Sequence, residues 1–597
     1  MKIKSLFCIA CLSITTFAQT QPTPKTIDNT QVCHLPNATK ASTKPAVLME
    51  GYGKVHMSVT TKSAEAQAFF DQGLALMHSF WFYEADRSFE RAAQLDPECA
   101  MAQWGIAMSD INEERRNSAI KRGKELAPKV SEREQLYLAA VEARYAGEKS
   151  TVQNNGFLGA SDPYQKAMRK LVSFYNDDLE AKLFLALTSM SGYERDGTPN
   201  AGTVEAIALL QAVLAKSPNH LAAHHYMIHA TEAGKRPVDG VPAADIYGTL
   251  APKVGHAVHM PGHTYVHVDR WQDAARAFEN SAAVDRAYIR DNKETTDHAA
   301  GPYGHNVHFL ANVYGYQGRY RDGILASQEL LDAAKQPGEE KSRAGFEGRL
   351  ARLRILTRFD KWDEILDGKS LPDEGNYEVF KSWRYYAQGL AQLGKNDLNA
   401  TRTTLDALER ETAWMKDKLA KEKDLPQLGR QRQQLKALGV APIELKARLA
   451  AIEAILLPLT QTTAVHNAPP LAEQQTKKAD EAIKLLREAI EEEIKLGYSE
   501  PPLYPLPMQE VAGKICLQLK RYTEAEEFFR AALERDPGSG RAYFGLMQAQ
   551  QNSGKQSEAR ETYAKFMKAW KQADEDLPEM KLAKEKAAEY GVASNVK

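Results

Sequence analysis

The chain carries small and apolar side chains at helical spacing, with polar residues in the positions between them. Near the N-terminal end this pattern occupies a set of residues: Phe69, Gly73, Ala85, Phe89, Ala92 and Pro97. Near the other end the same offsets return in a second set: Gly513, Tyr522, Ala525, Phe529, Ala532 and Pro537. No stretch alternates Val, Ile or Thr with polar residues as a strand would. The pattern therefore predicts an all-α chain of repeated units.

Each unit is predicted to be a pair of antiparallel helices that spans about 34 residues. Small residues let the two helices approach each other, and a proline ends the second helix. A further unit follows with Tyr543, Ala559, Tyr563 and Phe566. Weaker units are found between the two ends: 206–218, 271–278, 318–323, and the regions around Trp362 and Gly389. Such units stack on their neighbours and bury a continuous core.

The six-position pattern resembles the tetratricopeptide repeat, and the resemblance extends over most of the chain. Within that superfamily, the blocks HHYMIHATE, GHAVHMPGH, GHNVHFL and YSEPPLYPLP are similar to blocks found in a group of exported bacterial repeat proteins. The resemblance implies a right-handed superhelical solenoid of helix hairpins, with a concave groove lined by the first helix of each repeat. It implies ligand binding and does not imply a reaction.

The repeat pattern also predicts how the chain is divided. Residues 1–18 have a basic start, a short apolar core and a small-residue cleavage site, which is typical of a secretory signal peptide. Residues 19–48 are polar and predicted to be flexible. The rest is predicted to contain N-terminal repeats with a histidine-rich groove (49–340), irregular helical repeats (341–500), and C-terminal repeats with a terminal helix (501–597). The mature protein is expected to be exported to a periplasm or the medium.

Charge, apolar runs and cysteine content exclude several partners and one structural class. The formal net charge is −1, and acidic and basic residues are interleaved, so no basic stripe favours nucleic acid or an anionic membrane. No apolar run is long enough for a membrane span. Of the cysteines outside the signal peptide, Cys33, Cys99 and Cys516 have no CxxC spacing, so a disulfide framework is not expected, although one bridge stays open.

Histidine is concentrated in one stretch of the sequence. Eleven of the fifteen histidines lie between His220 and His308. Imidazole is the commonest metal ligand and titrates nearest neutral pH, so this cluster points to metal, anion or proton chemistry.

The repeat register predicts which histidines face the groove. Counted from Trp271, four fall at groove-facing positions of one first helix: His256, His259, His263 and His267. Counted from Tyr320, three residues of the next such helix do so: His305, His308 and Asn312. An earlier helix presents three more when it is counted from Pro218: His225, His229 and Glu232. Pro261 interrupts this pattern, and predicts either a kink or a helix that begins there.

The spacing suits a transition metal. Histidines one helical turn apart can bind one ion between them, as His225 and His229 could. Imidazoles favour zinc, copper or nickel, and Met260 would add a soft ligand that favours copper. Glu232 could be a further ligand, a partner that orients an imidazole, or a general base on metal-bound water. If the cluster holds a metal cofactor, zinc or copper is expected; otherwise no cofactor is expected.

Other interpretations stay open at this stage. A groove without metal could bind a peptide, a protein or a small anionic ligand through its histidines, or the histidines could be structural. The same cluster could belong to a metal-dependent hydrolase or oxidase, with Glu232 as the only and weak catalytic candidate. The chain could also be an assembly scaffold for another exported protein.

Overall fold

The computed structural model describes residues 44–110, 112–146, 162–194, 196–294, 303–335, 343–371, 378–422, 426–460, 470–587 and 589. Throughout these ranges the regular elements are helices, with one isolated bridge between Tyr193 and Pro199 and no strand. The predicted all-α fold is confirmed. The predicted signal peptide (1–18) and residues 19–43 of the predicted flexible segment lie outside the described residues.

The helices of the first half of the chain are numbered here in chain order. They are α1 Ala64–His78, α2 Phe82–Leu95, α3 Ala100–Ser109, α4 Glu113–Leu126, α5 Glu132–Tyr145, α6 Asp162–Phe174, α7 Leu179–Ser189, α8 Ala201–Lys216, α9 Leu221–Thr231, α10 Val241–Leu250, α11 Gly255–Val266, α12 Trp271–Asn292 and α13 Tyr303–Tyr316.

The second half continues in the same way. Its helices are α14 Tyr320–Ala333, α15 Arg343–Arg358, α16 Trp362–Leu366, α17 Glu378–Gly394, α18 Leu398–Lys421, α19 Pro426–Leu438, α20 Ala441–Thr460, α21 Leu471–Ile494, α22 Met508–Gln518, α23 Tyr522–Arg535, α24 Gly540–Asn552, α25 Gln556–Ala569 and α26 Pro578–Glu585.

Several helices begin at residues that suit a helix N-terminus. The Ser63 hydroxyl accepts from the backbone N–H of Ala66 at the start of α1, and Ser131 forms a capping box with Glu134 at the start of α5. Asp178 and Ser539 accept in the same way before α7 and α24. Each cap satisfies a backbone N–H that has no partner within its helix, which is worth about 1 kcal/mol.

A glycine–phenylalanine contact repeats along the solenoid. A Cβ atom on Gly73 of α1 would lie 2.7 Å from the Phe89 ring of α2, and one on Gly513 of α22 would lie 2.7 Å from the Phe529 ring of α23. Gly262 of α11 faces Phe278 of α12 in the same way, at 2.5 Å. Glycine is required at these positions because any side chain would separate the paired helices. The glycine and the phenylalanine of the repeat pattern therefore contact each other in the folded chain.

The first hairpin of the described chain and its last helices pack against its middle. On the N-terminal side, the Trp81 ring lies 4.6 Å from the Tyr288 ring, centroid to centroid. On the C-terminal side, the Trp570 indole N–H donates to the Tyr316 carbonyl at 2.8 Å, and the Trp271 indole N–H donates to the Pro537 carbonyl at 2.6 Å. The central helices therefore lie in the interior, and the inner face predicted to line a groove is covered by other parts of the chain.

Two further expectations concern Pro261 and the cysteines. The helix α11 begins at Gly255 and contains Pro261, so the alternative that a helix begins at Pro261 is wrong. Cys99 and Cys516 are buried free thiols, and Cys33 lies outside the described residues. The domain boundaries at residues 340 and 500 stay predictions.

Candidate metal centre

Three neighbouring helices bring histidines together in the interior. Helix α9 carries His225 and His229 one turn apart, α11 carries His256, His259 and His263 along one face, and α13 carries His305. These six side chains form two groups of three whose ligand nitrogens lie within 4.8 Å of one another. We call His225, His229 and His256 the first triad, and His259, His263 and His305 the second triad. All six residues are at most 6% exposed.

The first triad converges through its Nε2 atoms. The Nε2 of His225 lies 3.0 Å from the Nε2 of His256 and 3.0 Å from the Nε2 of His229. Two imidazole nitrogens bound to one tetrahedral ion are about 3.3 Å apart, because each metal–nitrogen bond is about 2.0–2.1 Å long. The spacing within the triad is therefore close to that of a metal-binding site.

The hydrogen bonds on the opposite side of the rings fix the tautomer of His225. Its Nδ1 lies 2.6 Å from the His78 carbonyl oxygen, which can only accept, so Nδ1 carries the proton. In the neutral ring the Nε2 atom then holds a lone pair. One lone pair faces two other imidazole nitrogens and cannot accept well from both. A cation between the three nitrogens would satisfy all of them.

The second triad has the same form. The Nε2 atoms of His259 and His263 are 2.8 Å apart. The ring centroid of His305 lies 5.1 Å from that of His259 and 6.0 Å from that of His263. The two triads are neighbours, since the rings of His256 and His259 are 5.5 Å apart, centroid to centroid.

Glu232 and Glu500 lie on the outer side of the rings. One Glu232 oxygen is 3.0 Å from His229 Nδ1 in the first triad, and the other is 3.4 Å from His263 Nδ1 in the second. Glu500 contacts His263 Nδ1 directly and lies 3.1 Å from His267 Nε2. A carboxylate on the second ring nitrogen orients a metal-binding imidazole and raises its basicity.

Burial keeps the imidazoles neutral. It lowers the pKa of His229 and of His305 to about 3, and it lowers the pKa of His225 well below the usual range. Burial likewise lowers the pKa of the three remaining triad members, His256, His259 and His263, well below the usual range. Because the neutral ring is the form that binds metals, protons do not compete for these nitrogens near neutral pH.

An aromatic side chain covers the first triad. The Phe80 ring centroid lies 4.5, 5.7 and 5.6 Å from those of His225, His229 and His256, respectively. Phe80 has φ 55°, and the comparable turns of later hairpins place Asp269, Gly318 and Lys520 in this conformation. A phenylalanine there is strained by about 1–3 kcal/mol. Strain of this kind at a cluster of polar groups is typical of a functional site.

The other predicted site residues lie beside the triads. The Nδ1 of His308 lies 2.6 Å from Glu347, and the Nε2 of His267 lies 3.1 Å from Glu500, which also contacts His263. In the described part of the chain, neither His308 nor His267 belongs to a group of three side chains placed to hold a metal ion. Asn312 and Met260 are buried, and Met260 belongs to the apolar core.

Some residues of the centre were not predicted from the sequence. Glu500 reaches it from the proline-rich segment before α22, which belongs to no repeat. Phe80 belongs to an aromatic run, residues 80–83, whose sequence gives no link to the histidines. His78, which supplies the carbonyl for His225, is buried and bonded through Nε2 to Glu180 at 2.6 Å. These contacts join residues that lie more than a hundred positions apart.

The fold defines the class of this protein as an all-α repeat solenoid, a class that serves as a scaffold for binding peptides and proteins. Residues 517–586 match the family model described as Tetratricopeptide repeat. This match identifies residues 517–586 as tetratricopeptide repeats, as the sequence pattern predicts for this part of the chain. None of the described helices combines the length and the apolar character that a membrane span needs.

Solved structures show weak overall likeness. The APC/C hetero-tetramer Cut9-Hcn1 is 12% identical, with 87% of this chain and 76% of that chain covered and a TM-score of 0.29. Yeast Tom70 is 12% identical, with 89% and 97% covered and a TM-score of 0.25. Naa15/Naa10 bound to HypK-THB is 11% identical, with 88% and 91% covered and a TM-score of 0.20. No curated protein matches the sequence.

Proposed function

We propose that this protein is an exported tetratricopeptide-repeat protein that binds transition-metal ions, zinc or copper, through the two histidine triads. The observation that carries the proposal is the convergence of Nε2 atoms at 2.8–3.0 Å inside a buried core. Polar groups are buried in such numbers only where hydrogen bonds or metals satisfy them. Zinc and copper are the ions that imidazole ligands suit best.

The burial of the triads and the carboxylates beside their rings favour metal binding over a metal-free groove. A groove that holds a peptide needs exposed donors, whereas the triad side chains are at most 6% exposed. The carboxylate–histidine pairs at Glu232 and Glu500 have the arrangement that orients metal-binding imidazoles. Glu232 lies at the Nδ1 side of His229 and His263, away from the converging Nε2 atoms, so we assign it an orienting role and no role as a general base.

Metal analysis tests the proposal directly. The chain is purified without a nickel column, and its zinc and copper are measured by mass spectrometry before and after reloading. We expect bound metal that falls sharply in the variants His225→Gln and His263→Gln. His224→Gln is the matched control, because His224 is buried on the same helix but donates its Nε2 to the Pro218 carbonyl, at 2.8 Å. Protein that stays free of both metals after reloading would refute the proposal.

Export is the second part of the proposal, and it is supported by the N-terminal sequence. If residues 1–18 are a signal peptide, the mature chain recovered from a periplasmic extract begins at Gln19. N-terminal sequencing of the chain expressed with its own leader checks this. Retention of Met1 in a cytoplasmic fraction would contradict the assignment and would leave the metal sites untouched.

A further inference from the structure

We propose that the protein holds a further divalent metal ion beside the second triad, bound by the carboxylates of Glu232 and Glu500 and by the Nδ1 of His263. We call this group the carboxylate site. Two oxygens and one nitrogen suit an ion that favours oxygen ligands, which among the first-row metals is Mn(II). The site uses the ring nitrogen of His263 opposite to the Nε2 that faces the second triad, so it adds to the proposed function and does not require ions in either triad.

The three side chains of the carboxylate site come from three parts of the chain. Glu232 ends α9, His263 belongs to α11, and Glu500 precedes α22. Their ligand atoms lie within 4.8 Å of one another. One Glu232 oxygen is 3.4 Å from His263 Nδ1, and one Glu500 oxygen contacts the same nitrogen. The three side chains are at most 5% exposed, so the site lies in the interior.

The two carboxylate oxygens that face this nitrogen have no hydrogen bond to any described residue. They are the Oε2 atoms of Glu232 and Glu500, and both are buried. The other oxygen of each group has a partner, His229 Nδ1 at 3.0 Å for Glu232 and His267 Nε2 at 3.1 Å for Glu500. Buried polar atoms nearly always have a partner. An ion in the carboxylate site would satisfy both oxygens, while Glu232 still orients His229.

Glu180 is a useful comparison, because it is a buried glutamate that also pairs with histidines. Its two oxygens are each bonded to a different ring, to His78 at 2.6 Å and to His220 at 3.1 Å. At His263, in contrast, two carboxylates meet one ring nitrogen. One hydrogen atom joins only two of these three atoms, whereas one metal ion can contact all three. The arrangement at His263 is therefore the one that suits an ion.

The segment that carries Glu500 is fixed to α15. The Arg354 guanidinium donates to the carbonyls of Tyr504 at 3.0 Å, of Pro505 at 3.1 Å, and of Pro502. Arg354 is itself buried. A ligand that is held in place before the ion arrives loses less conformational freedom on binding.

The carboxylate site also has a connection to the surface. The exposed fraction of the side chain rises from 0% at His263 to 5% at Glu500 and 24% at His267, whose Nε2 is 3.1 Å from Glu500. An ion can therefore reach the two carboxylates from solvent past His267.

A titration of the full apo chain with Mn(II) tests the site. Electron paramagnetic resonance measures free and bound Mn(II), and this ion has the lowest affinity of the first-row series for imidazole sites such as the triads. The titration is run at neutral pH and above, because burial raises the pKa of Glu232 and a ligand has to be deprotonated. We expect one bound Mn(II) ion per chain. The absence of bound Mn(II) would overturn the inference.

Isosteric variants locate the ion. Glu500→Gln and Glu232→Gln each remove one ligand and are expected to weaken Mn(II) binding at least about 10-fold. His225→Gln changes the first triad and should leave Mn(II) binding unchanged. Glu347→Gln is the matched control, because Glu347 also lies at a histidine Nδ1, that of His308, outside the carboxylate site. Circular dichroism checks that each variant folds. Mn(II) binding that persists in Glu500→Gln, or that falls equally in Glu347→Gln, would overturn the inference.

The same samples separate this inference from the proposed function. Zinc or copper that depends on His225, without bound Mn(II), would overturn the inference and keep the proposed function. Mn(II) that depends on Glu500, in a chain that takes up neither zinc nor copper, would keep the inference and overturn the proposed function.

Discussion

The hairpin α11–α12 and the hairpin α22–α23 have the same packing and different chemistry. In both, a glycine of the first helix meets a phenylalanine of the second, Gly262 with Phe278 and Gly513 with Phe529. The inner positions that hold His259 and His263 in α11 correspond to Glu510 and Lys514 in α22.

These corresponding positions make different contacts. Glu510 forms an ion pair with Arg358 at 3.2 Å, and Lys514 forms one with Asp360 at 2.6 Å. His259 and His263 instead face each other across 2.8 Å in the second triad. The repeat fixes where an inner side chain lies, and the residue type at that position decides whether it joins two parts of the chain or builds a site.

The largest expected difference between the hairpins is their response to metal removal. If the triads hold ions, each ion stabilises the folded state by about 4 kcal/mol at a free-ion concentration of about 1,000 times Kd. Chelation should therefore increase amide hydrogen exchange strongly in α9, α11 and α13. Exchange in α22 and α23 should change much less. Equal loss of protection in both hairpins would argue against ions at the triads.

The sequence predicts the fold more completely than the site. Helix pairing follows from local offsets such as Gly73 to Phe89, so it can be found from one sequence. The same register places His225, His229 and His256 on inner faces, and they do converge. The register cannot predict Glu500, because the proline-rich segment that carries it belongs to no repeat. It also groups His308 with His305, although His305 joins the second triad and His308 pairs with Glu347 on α15.

The next effect concerns the packing that both hairpins share. Phe278→Ala and Phe529→Ala each remove a buried ring and should destabilise the chain by about 3–5 kcal/mol. Only Phe278 lies beside the second triad, with its ring 5.3 Å from that of His259, centroid to centroid. Denaturant unfolding and metal content, measured on the same samples, compare the variants. We expect similar destabilisation and a loss of metal only in Phe278→Ala.

Acid should weaken the histidine hairpins first in the metal-free protein. Burial lowers the pKa of His229 and of His305 to about 3, whereas the usual value is 6.5. The unfolded chain therefore binds protons that the folded chain does not, and stability falls as pH drops below 6.5 towards about 3. At about pH 5 the loss should be about 1–2 kcal/mol per histidine.

Two buried carboxyl groups of the C-terminal region contribute with the opposite sign, as do Glu232 and Asp285 beside the histidines, whose pKa values burial also raises. Burial raises the pKa of Glu493 and of Asp536, so the folded chain takes up protons before the unfolded chain, and these groups add stability as pH falls. Hydrogen exchange of the apo protein across this pH range measures both regions together. If α23 lost its protection from hydrogen exchange at a higher pH than α11 does, this assignment would be contradicted.

The smallest effect is expected where the C-terminal hairpin is changed at the position that corresponds to His263. Lys514→Gln removes an ion pair with Asp360 whose two side chains are 44% and 37% exposed, so solvent screening limits the loss to less than about 1 kcal/mol. Metal content should stay at the wild-type level. His263→Gln changes the same repeat position in α11 and should release metal with little direct change in packing volume. If Lys514→Gln lowered metal content as much as His263→Gln does, the metal would depend on the solenoid as a whole and not on the histidines.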